Sequence, residues 1–479
     1  MEHALGKLKK AYTKLFANYH AIFLLAFIAL VIPSLAKGFD LHGSESYFYY
    51  RITNFVLDNN IPGYDFLSFG GRAFLYNLGS PLFLVLINLI FKVSVINLLV
   101  FVPILFGFLS VILFYLILKR FNMKRNVLSF SCYILILSPA FLYSFVHFTS
   151  FTIPLFLNFL GFYLILNRKK LFSYIAFFIY LILPLFGFIH VFFGLVLLFF
   201  HFYENKEVRK FIPYSTIILP VLYLNNHFII SGIDVVEHEL SEYFFILGGE
   251  YSLSIFLIAL ALFGLVFLWE KRYKNSIYYL FIILNLFILF LNIKYIIYIT
   301  LISSVLGTYG LRYIYKLEWS SHLIRDLTVI ILIGGILVSG VIFLSENSRR
   351  DPDQSVYNAL VYIGENTDPR DVILSHEKYG IYINSVSARK NFVDINRDYA
   401  PRADLRFYHL NKIFYSRDMT NLLKIFKEFK IDYIMITPEM KNGLVWSSNN
   451  QGLLYLINNN QEYFKLAYNE DGAEVWRVS

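Results

Sequence analysis

About eleven apolar segments, each close to the length needed to cross a bilayer, constrain the fold of this 479-residue chain more than any other feature. A hydrocarbon layer about 30 Å thick is crossed by roughly 20 residues of a helix that rises 1.5 Å per residue. The composition agrees, with 57% hydrophobic and only 16% charged residues. The sequence therefore predicts a polytopic α-helical membrane domain. Its predicted spans lie near residues 19–37, 95–118, 127–144, 151–167, 171–185, 187–203, 211–229, 253–269, 276–291, 295–314 and 326–345.

The basic residues lie in short clusters between the apolar segments. A net charge of +9 would suggest nucleic-acid binding in a soluble protein, but the positive-inside rule explains these clusters, and we predict no nucleic-acid partner. A cytoplasmic N-terminus puts the later basic clusters on the cytoplasmic side as well. The run 81–91 is too short to span, so we interpret it as a non-spanning helix within the first outer loop, 38–94. The loop 230–252 then also faces outward.

The composition changes at the charged stretch SENSRRDPDQ. Beyond it, short β-rich runs (DVILS, KNFVDI and DYIMIT) alternate with helical stretches such as 417–430. We therefore predict a transmembrane domain over 1–345, followed by a smaller soluble α/β domain over 346–479 on the extracytoplasmic face. The chain has one cysteine, Cys132, so no disulfide can form within it.

Two acidic residues on the predicted outer face are candidates for chemistry. Glu45 opens the run ESYFYYR just beyond the first span, and Glu237 lies in DVVEHE of a later outer loop. Carboxylate oxygens are preferred ligands of Mg²⁺ and Mn²⁺, and a carboxylate can also accept a hydrogen bond from an acceptor group. The alternative for each residue is a solvated loop carboxylate beside interfacial aromatic rings.

Four segments occur in an order that is also found in a known family. They are ESYFYYRITNFV, DFLSFGGR, DVVEH, and the stretch ENTDPRDVILSHEKYGIYI followed by Arg389 and VDIN. They resemble, in turn, the DPYFNYR-type first-loop segment, the looped segment that follows it, the SVSEH motif and the WWDYG-containing stretch of the oligosaccharyltransferase catalytic subunit. The chain is thus similar to the single-subunit archaeal and bacterial type of this enzyme, in the GT-C superfamily of polyprenyl-phosphate-dependent glycosyltransferases.

The resemblance implies roles for residues of the outer loops. Glu45 and Glu237 would be the catalytic carboxylates, and Glu237 would contact the acceptor. The implied acceptor-binding residues are His238, His376, Glu377, Tyr379 and Gly380. The predicted donor-phosphate-binding residues are Lys294, which the resemblance places near the donor phosphates, and two further outer-face cations that could neutralise a lipid-linked phosphate, Arg51 and Arg72. Lipid headgroup binding is the alternative for these three cations.

The chain also departs from the pattern of the family. Glu45 stands where aspartate is usual, and the second outer loop, SPAFLYSFVHFTSF, has no carboxylate but contains His147. The resemblance implies a divalent cation, Mg²⁺ or Mn²⁺, for which Glu45 is the first candidate ligand and His147 and Glu237 are further candidates. An interfacial histidine with an ordinary hydrogen bond is the alternative for His147. Of the WWDYG motif, only Tyr379 and Gly380 are kept.

The resemblance, together with the predicted spans, implies an integral membrane glycosyltransferase of inverting type with an outward-facing active site. It would transfer a glycan from a polyprenyl-phosphate or -pyrophosphate donor to a protein asparagine. The first alternative is a polyprenyl-phosphate-monosaccharide-dependent transferase that acts on a lipid-linked or surface glycan. The second is a non-enzymatic polyprenyl-glycan flippase or transporter, which is disfavoured because the predicted spans carry almost no charged residues to hold a polar cargo.

Overall fold

The computed structural model describes residues 19–58, 63–74, 76–167, 169–204, 213–216, 218, 252–269, 283, 295–397, 400–448 and 450–478. The chain divides into two compact units. The first contains Met1–Asp40, Asn77–Ser80 and Asn97–Arg349, and the second contains Leu41–Tyr76, Pro81–Ile96 and Arg350–Ser479.

The helices and strands below are those of the described residues. The helices are α1 Tyr19–Ala36, α2 Ser44–Leu57, α3 Gly79–Phe91, α4 Val95–Arg120, α5 Arg125–Ile136, α6 Pro139–Val146, α7 Thr152–Leu166, α8 Lys170–Ile182, α9 Phe188–Glu204, α10 Ile255–Trp269, α11 Ile296–Lys316, α12 His322–Glu346, α13 Gln354–Asn366, α14 Glu377–Tyr382, α15 Ala403–Tyr415, α16 Met419–Phe429 and α17 Gly452–Asn459. The strands are β1 Tyr64–Asp65, β2 Arg72–Ala73, β3 Val372–Leu374, β4 Lys390–Asn391, β5 Ile431–Ile436, β6 Phe464–Glu470 and β7 Ala473–Val478.

Three described helices, α1, α4 and α12, are long and apolar enough to cross a membrane. They coincide with the predicted spans 19–37, 95–118 and 326–345, because continuous apolar sequence is a strong signal for a spanning helix. The pair α5 and α6 passes the same test together, so the described residues contain three candidate spans by length and composition, or four if this pair counts as one. The predicted total of eleven stays a prediction.

The predicted span 127–144 is bent rather than straight. α5 and α6 meet at an angle of 62°. Pro139 occupies the start of α6, and Ser138 before it is extended, with φ −76° and ψ 127°. Proline disfavours helical backbone in the residue that precedes it, which explains why the helix breaks at this position.

Helices α10 and α11 pack backbone against backbone in the first unit. A Cβ added to Gly264 would lie 2.0 Å from the carbonyl oxygen of Leu306, and one added to Gly310 would lie 1.9 Å from that of Leu260. Glycine is therefore required at both positions for the two helices to approach this closely. Small residues are typical of helix contacts in membranes, where close packing replaces the hydrophobic effect as the driving force.

The second unit contains a five-stranded mixed sheet with the order β4-β3-β5-β7-β6. β3 runs parallel to β4 and β5, whereas β7 runs antiparallel to β5 and β6. β3 and β4 fall within the predicted β-rich runs, β5 begins one residue before the run DYIMIT, and α16 falls within the predicted helical stretch 417–430. The central strands are apolar and buried because helices flank the sheet, and Ile373, Ile434 and Ile436 are fully buried.

Part of the predicted first outer loop belongs to this second unit. α2 and the hairpin of β1 and β2 group with the residues from Arg350 onward, although the sequence prediction assigns them to the domain 1–345. Tyr47 of α2 makes an edge-to-face ring contact with Tyr382, with centroids 5.1 Å apart. The backbone N–H of Asn391 donates to the carbonyl of Leu67 at 3.1 Å. Two segments far apart in sequence therefore form one packed body.

Candidate active site

Glu45 is held by a helix rather than by a flexible loop. It lies in the first turn of α2, whose N-cap is Gly43 with φ 79°. Glycine adopts this positive φ without the steric cost that a Cβ brings. A carboxylate in the first turn is favoured by the partial positive charge of the helix N-terminus. Glu45 is half-buried, and the helix holds its carboxylate in a place where the helix N-terminus favours a negative charge.

Arg51, a predicted phosphate-binding residue, forms a buried bidentate ion pair with Asp65. Its two terminal guanidinium nitrogens donate to the two carboxylate oxygens, both at 2.8 Å. The backbone N–H of Leu67 donates to the same carboxylate at 3.1 Å. Both terminal nitrogens of Arg51 are thus engaged within the protein. Burial alone would raise the pKa of Asp65, but the charge of Arg51 and the hydrogen bonds lower it to about 2.

Arg72, the second predicted phosphate-binding arginine, joins the same set of contacts. Its Nε donates to the hydroxyl of Tyr76 at 2.7 Å, and one terminal nitrogen donates to the backbone carbonyl of Asn396. The Tyr76 hydroxyl in turn donates to Asp65 at 2.9 Å. Burial raises the pKa of Tyr76. We call Arg51, Asp65, Arg72 and Tyr76 the arginine network; it ties α2 to the loop that follows it.

Asp394 is the centre of a second buried cluster, which the sequence prediction did not identify. Its carboxylate accepts hydrogen bonds from the Ser68 hydroxyl at 2.7 Å and from the Asn391 side-chain amide at 2.9 Å. The same Asn391 amide donates to the carbonyl of Gly380 at 2.9 Å, and its oxygen accepts from the backbone N–H of Phe69 at 2.6 Å. We call Ser68, Asn391 and Asp394 the Asp394 cluster. It fixes the loop after β1 against the segment that includes the predicted acceptor-binding residues.

The structure brings four predicted acceptor-binding residues together at α14. His376 caps the N-terminus of this helix, and its Nδ1 accepts from the backbone N–H of Lys378 at 3.2 Å. Burial lowers the pKa of His376, so the imidazole is neutral at pH 7. Glu377 forms an ion pair with Arg397 at 3.0 Å. His376 and Glu377 therefore have structural contacts of their own at this helix end.

Tyr379 and Gly380 are explained by contacts of the same helix. The Tyr379 hydroxyl donates to Glu439 at 2.6 Å. Glu439 also pairs with Lys378 at 2.6 Å, a contact that the sequence did not predict. A Cβ on Gly380 would lie 2.1 Å from the carbonyl oxygen of Val393, so this position requires glycine. The retained Tyr-Gly pair thus matches a local packing requirement.

The remaining predicted site residues lie in the first unit or outside the described residues. His147 ends α6 in the first unit, where its ring makes an edge contact with Tyr143 at a centroid distance of 4.8 Å. Glu237, His238 and Lys294 lie outside the described residues. Within the described part of the chain, no group of three or more His, Cys, Asp or Glu residues could hold a metal ion. The described ligand candidates therefore do not complete a metal site.

No protein-family model and no curated protein sequence matches the chain. Several solved structures do. The oligosaccharyltransferase of Archaeoglobus fulgidus in complex with Zn and sulfate is similar with a TM-score of 0.53 and 15% identity, over 95% of this chain and 73% of that chain. ArnT of Cupriavidus metallidurans bound to undecaprenyl phosphate has a TM-score of 0.51 and 10% identity, over 95% and 97% of the two chains.

A third similar structure is the mycobacterial arabinofuranosyltransferase AftD. It has a TM-score of 0.54 and 11% identity, and the match covers 96% of this chain and 40% of that chain. At such low identities the likeness is one of fold. It extends over nearly all of the chain in each of the three comparisons.

Proposed function

We propose that this chain, which has the fold of the GT-C membrane glycosyltransferases, is itself a membrane glycosyltransferase that uses a polyprenyl-linked donor. The observation that carries the proposal is the similarity of nearly the whole chain to three transferases of this fold. A polyprenyl donor is supported by ArnT, which was solved with undecaprenyl phosphate. Because a fold can host several functions, the site must supply the chemistry.

The acceptor we propose is a protein asparagine on the outer face of the membrane. The order of the four resembling segments supports this acceptor. So does the grouping of α14 with the loop after β1, through the Asp394 cluster. The transfer would be inverting: the amide nitrogen of the acceptor attacks the anomeric carbon while the bond to the phosphate oxygen breaks. The phosphate leaves with the electron pair, and the amide nitrogen loses one proton to the solvent.

A lipid-linked or surface glycan is the second candidate acceptor. It is favoured by the departure from the WWDYG motif, whose first three residues are replaced by His376, Glu377 and Lys378, because this weakens the case for a peptide acceptor.

Glu45 is the described residue to which we assign direct contact with the reacting groups. Its place in the first turn of α2 fixes the carboxylate near the helix N-terminus, whose partial positive charge favours an anion. The arginine network would position α2, since both terminal nitrogens of Arg51 are engaged with Asp65. Glu237 as the acceptor contact and Lys294 as the phosphate contact belong to the proposal but lie outside the described residues.

A divalent cation, Mg²⁺ or Mn²⁺, stays part of the proposal. If bound, it would offset the charge that develops on the leaving phosphate. Glu45 would provide one carboxylate ligand, and Glu237 and His147 are the other candidates from the sequence. The described residues do not complete a ligand set for this cation. The other roles in the reaction, binding and positioning of the substrates, are therefore assigned to side chains of the protein.

The test is a transfer assay with defined acceptors. Purified protein would be incubated with a polyprenyl-pyrophosphate oligosaccharide or a polyprenyl-phosphate monosaccharide. The acceptors would be a peptide containing Asn-x-Thr, the same peptide with Gln in place of Asn, and a polyprenyl-linked glycan. Mass spectrometry should show a sugar added to the Asn peptide and none on the Gln peptide. Sugar on the glycan instead would establish the second candidate, and no transfer from either donor to any acceptor would contradict the proposed function.

A further inference from the structure

The second unit contains a groove of about 1020 Å³ at the edge of the sheet where β3, β4 and β5 begin. This volume is in the range of ligand-binding pockets. Its lining is rich in basic side chains. They are Arg370, Lys390, Arg402, Arg406, Lys427 and Lys430. The same lining contains three acidic residues. The six basic groups therefore leave an excess of three positive charges.

The described part of the protein does not neutralise this excess with ion pairs. Among the described residues, none of the six basic side chains forms an ion pair. Two of the three acids accept hydrogen bonds from the backbone: Asp432 from the N–H of Val372 at 2.9 Å, and Asp371 from that of Asp368 at 2.8 Å. Like charges held together raise the free energy of the site unless an anion offsets them. The groove is therefore suited to a negatively charged ligand.

Arg406 is the most firmly held of these cations. One terminal nitrogen donates to the carbonyl of Phe392 at 2.9 Å, and the guanidinium carbon lies 5.3 Å and 5.1 Å from the ring centroids of Phe392 and Phe429. Its Nε is buried and has no hydrogen-bond partner among the described residues. Burial and the neighbouring Arg402 lower the pKa of Arg406 to about 10. A cation fixed in place with an unused donor is preorganised for an anion.

We propose that this groove binds an acidic oligosaccharide, whose carboxylate or phosphate groups contact the basic residues. The three acidic residues of the lining can accept hydrogen bonds from sugar hydroxyl groups, so the mixed lining fits a glycan that carries both hydroxyl and acidic groups. A single inorganic ion would occupy a small part of the groove. The choice of a glycan rests on the proposed function, and the inference adds to it the charge of the sugar that the protein recognises.

The groove also borders the loop that the Asp394 cluster fixes. Gly70 lines it with φ +69°, and a Cβ placed there would lie 3.5 Å from a terminal nitrogen of Arg406. Gly70 ends the short 3₁₀ turn that begins at Ser68, which donates to Asp394. A glycan in the groove would therefore contact the same loop that the arginine network ties to α2.

Calorimetric titration of the full chain in detergent tests the proposal without requiring any transfer reaction. The ligands are trigalacturonic acid, neutral maltotriose and inorganic phosphate. We expect trigalacturonic acid to bind, more weakly as salt screens the charges, and maltotriose not to bind. Lys427→Gln and Arg402→Gln should each weaken binding about tenfold, because each removes one charge-assisted contact. Arg402 is exposed and Lys427 lies on the surface of α16, so both variants should fold.

Lys424→Gln is the matched control, since Lys424 is an exposed residue of the same helix that does not line the groove. It should leave binding unchanged. Equal weakening by Lys424→Gln and Lys427→Gln would overturn the proposal, as would equal binding of maltotriose. Phosphate binding as tightly as trigalacturonic acid would also overturn it, because the site would then be a simple anion site. If trigalacturonic acid binds but no sugar is transferred in the transfer assay, the proposed groove is upheld and the proposed function is contradicted. If sugar is transferred but trigalacturonic acid does not bind, the proposed function is upheld and the proposed groove is contradicted.

Discussion

Arg51 and Asp65 form a bidentate ion pair whose side chains are 6% and 1% exposed. Removing one partner of such a buried pair leaves an uncompensated charge and typically costs about 3–5 kcal/mol of unfolding free energy. We therefore expect Arg51→Met and Asp65→Asn each to lower the melting temperature strongly, with the double variant losing less than the sum of the two. Thermal unfolding in detergent, followed by intrinsic fluorescence, measures this.

Arg397→Gln is the control for that comparison. Arg397 pairs with Glu377 at a similar distance of 3.0 Å, but its side chain is 48% exposed. Exposed pairs contribute at most about 1 kcal/mol, so this variant should unfold close to the wild type. A melting temperature of Asp65→Asn that equals that of Arg397→Gln would show that the Arg51–Asp65 pair does not stabilise the unit.

The Arg51–Asp65 pair also predicts that the stability of the protein depends on pH. The pKa of Asp65 is lowered from 3.8 to about 2, so its contribution is fully present above the unfolded value and is lost as the pH falls towards 2. The shift corresponds to roughly 2 kcal/mol. We expect the melting temperature of the wild type to fall below pH 4, and that of Asp65→Asn to fall less steeply over the same range. If the melting temperatures of the wild type and of Asp65→Asn fall in parallel as the pH is lowered, the acid dependence cannot be assigned to Asp65.

How much of the structure the sequence predicts depends on whether the signal for each feature lies within one short segment of the chain. α1, α4 and α12 were predictable because each is one continuous apolar run, and α16 because its amphipathic pattern lies within a single stretch. Glu45 was predictable as a candidate because a family motif surrounds it. All of these signals can be read within a window of one helix.

The partners of the site were not predictable, since they come from distant segments. Ser68 and Asp394 are 326 residues apart in sequence yet hydrogen-bonded, and nothing in either segment marks the other. Arg51 was predicted as a phosphate ligand because it is a cation on the predicted outer face, where it could neutralise a lipid-linked phosphate. Its engagement with Asp65 depends on how the loop after α2 turns back, which residue types alone do not specify.

Gly380 should tolerate no larger residue. A Cβ there would lie 2.1 Å from the Val393 carbonyl oxygen and 2.5 Å from the Cβ of Asp394, so the backbone of one segment must move. We expect Gly380→Ala to cost about 1–3 kcal/mol and to loosen the Asp394 cluster. Gly63→Ala is the control, because no atom lies within 4 Å of its added Cβ. Equal unfolding curves for the two variants would contradict the close approach.

The predicted topology can be tested at Thr420, an exposed residue of α16. In a Cys132→Ser background, Thr420→Cys should react with an impermeant thiol reagent in intact cells, because the second unit is predicted to face outward. Cys132 is buried, so the wild type should give little background labelling. Protection of the Thr420→Cys variant in intact cells, together with labelling after lysis, would place this unit in the cytoplasm and exclude an outward-facing site.

The proposed catalytic role of Glu45 predicts a separation between activity and stability. Glu45→Gln is nearly isosteric and removes a charge from a half-buried position, so the protein should stay folded. If the carboxylate contacts the reacting groups or a cation, its loss should slow transfer by orders of magnitude, where about 1.4 kcal/mol corresponds to tenfold. Glu365→Gln, at an exposed position of α13, should leave transfer unchanged. The His147→Ala variant completes the test: a changed metal requirement would add His147 to the ligand set, and an unchanged one would leave it as a packing residue beside Tyr143. Wild-type turnover in Glu45→Gln would remove the carboxylate from the mechanism.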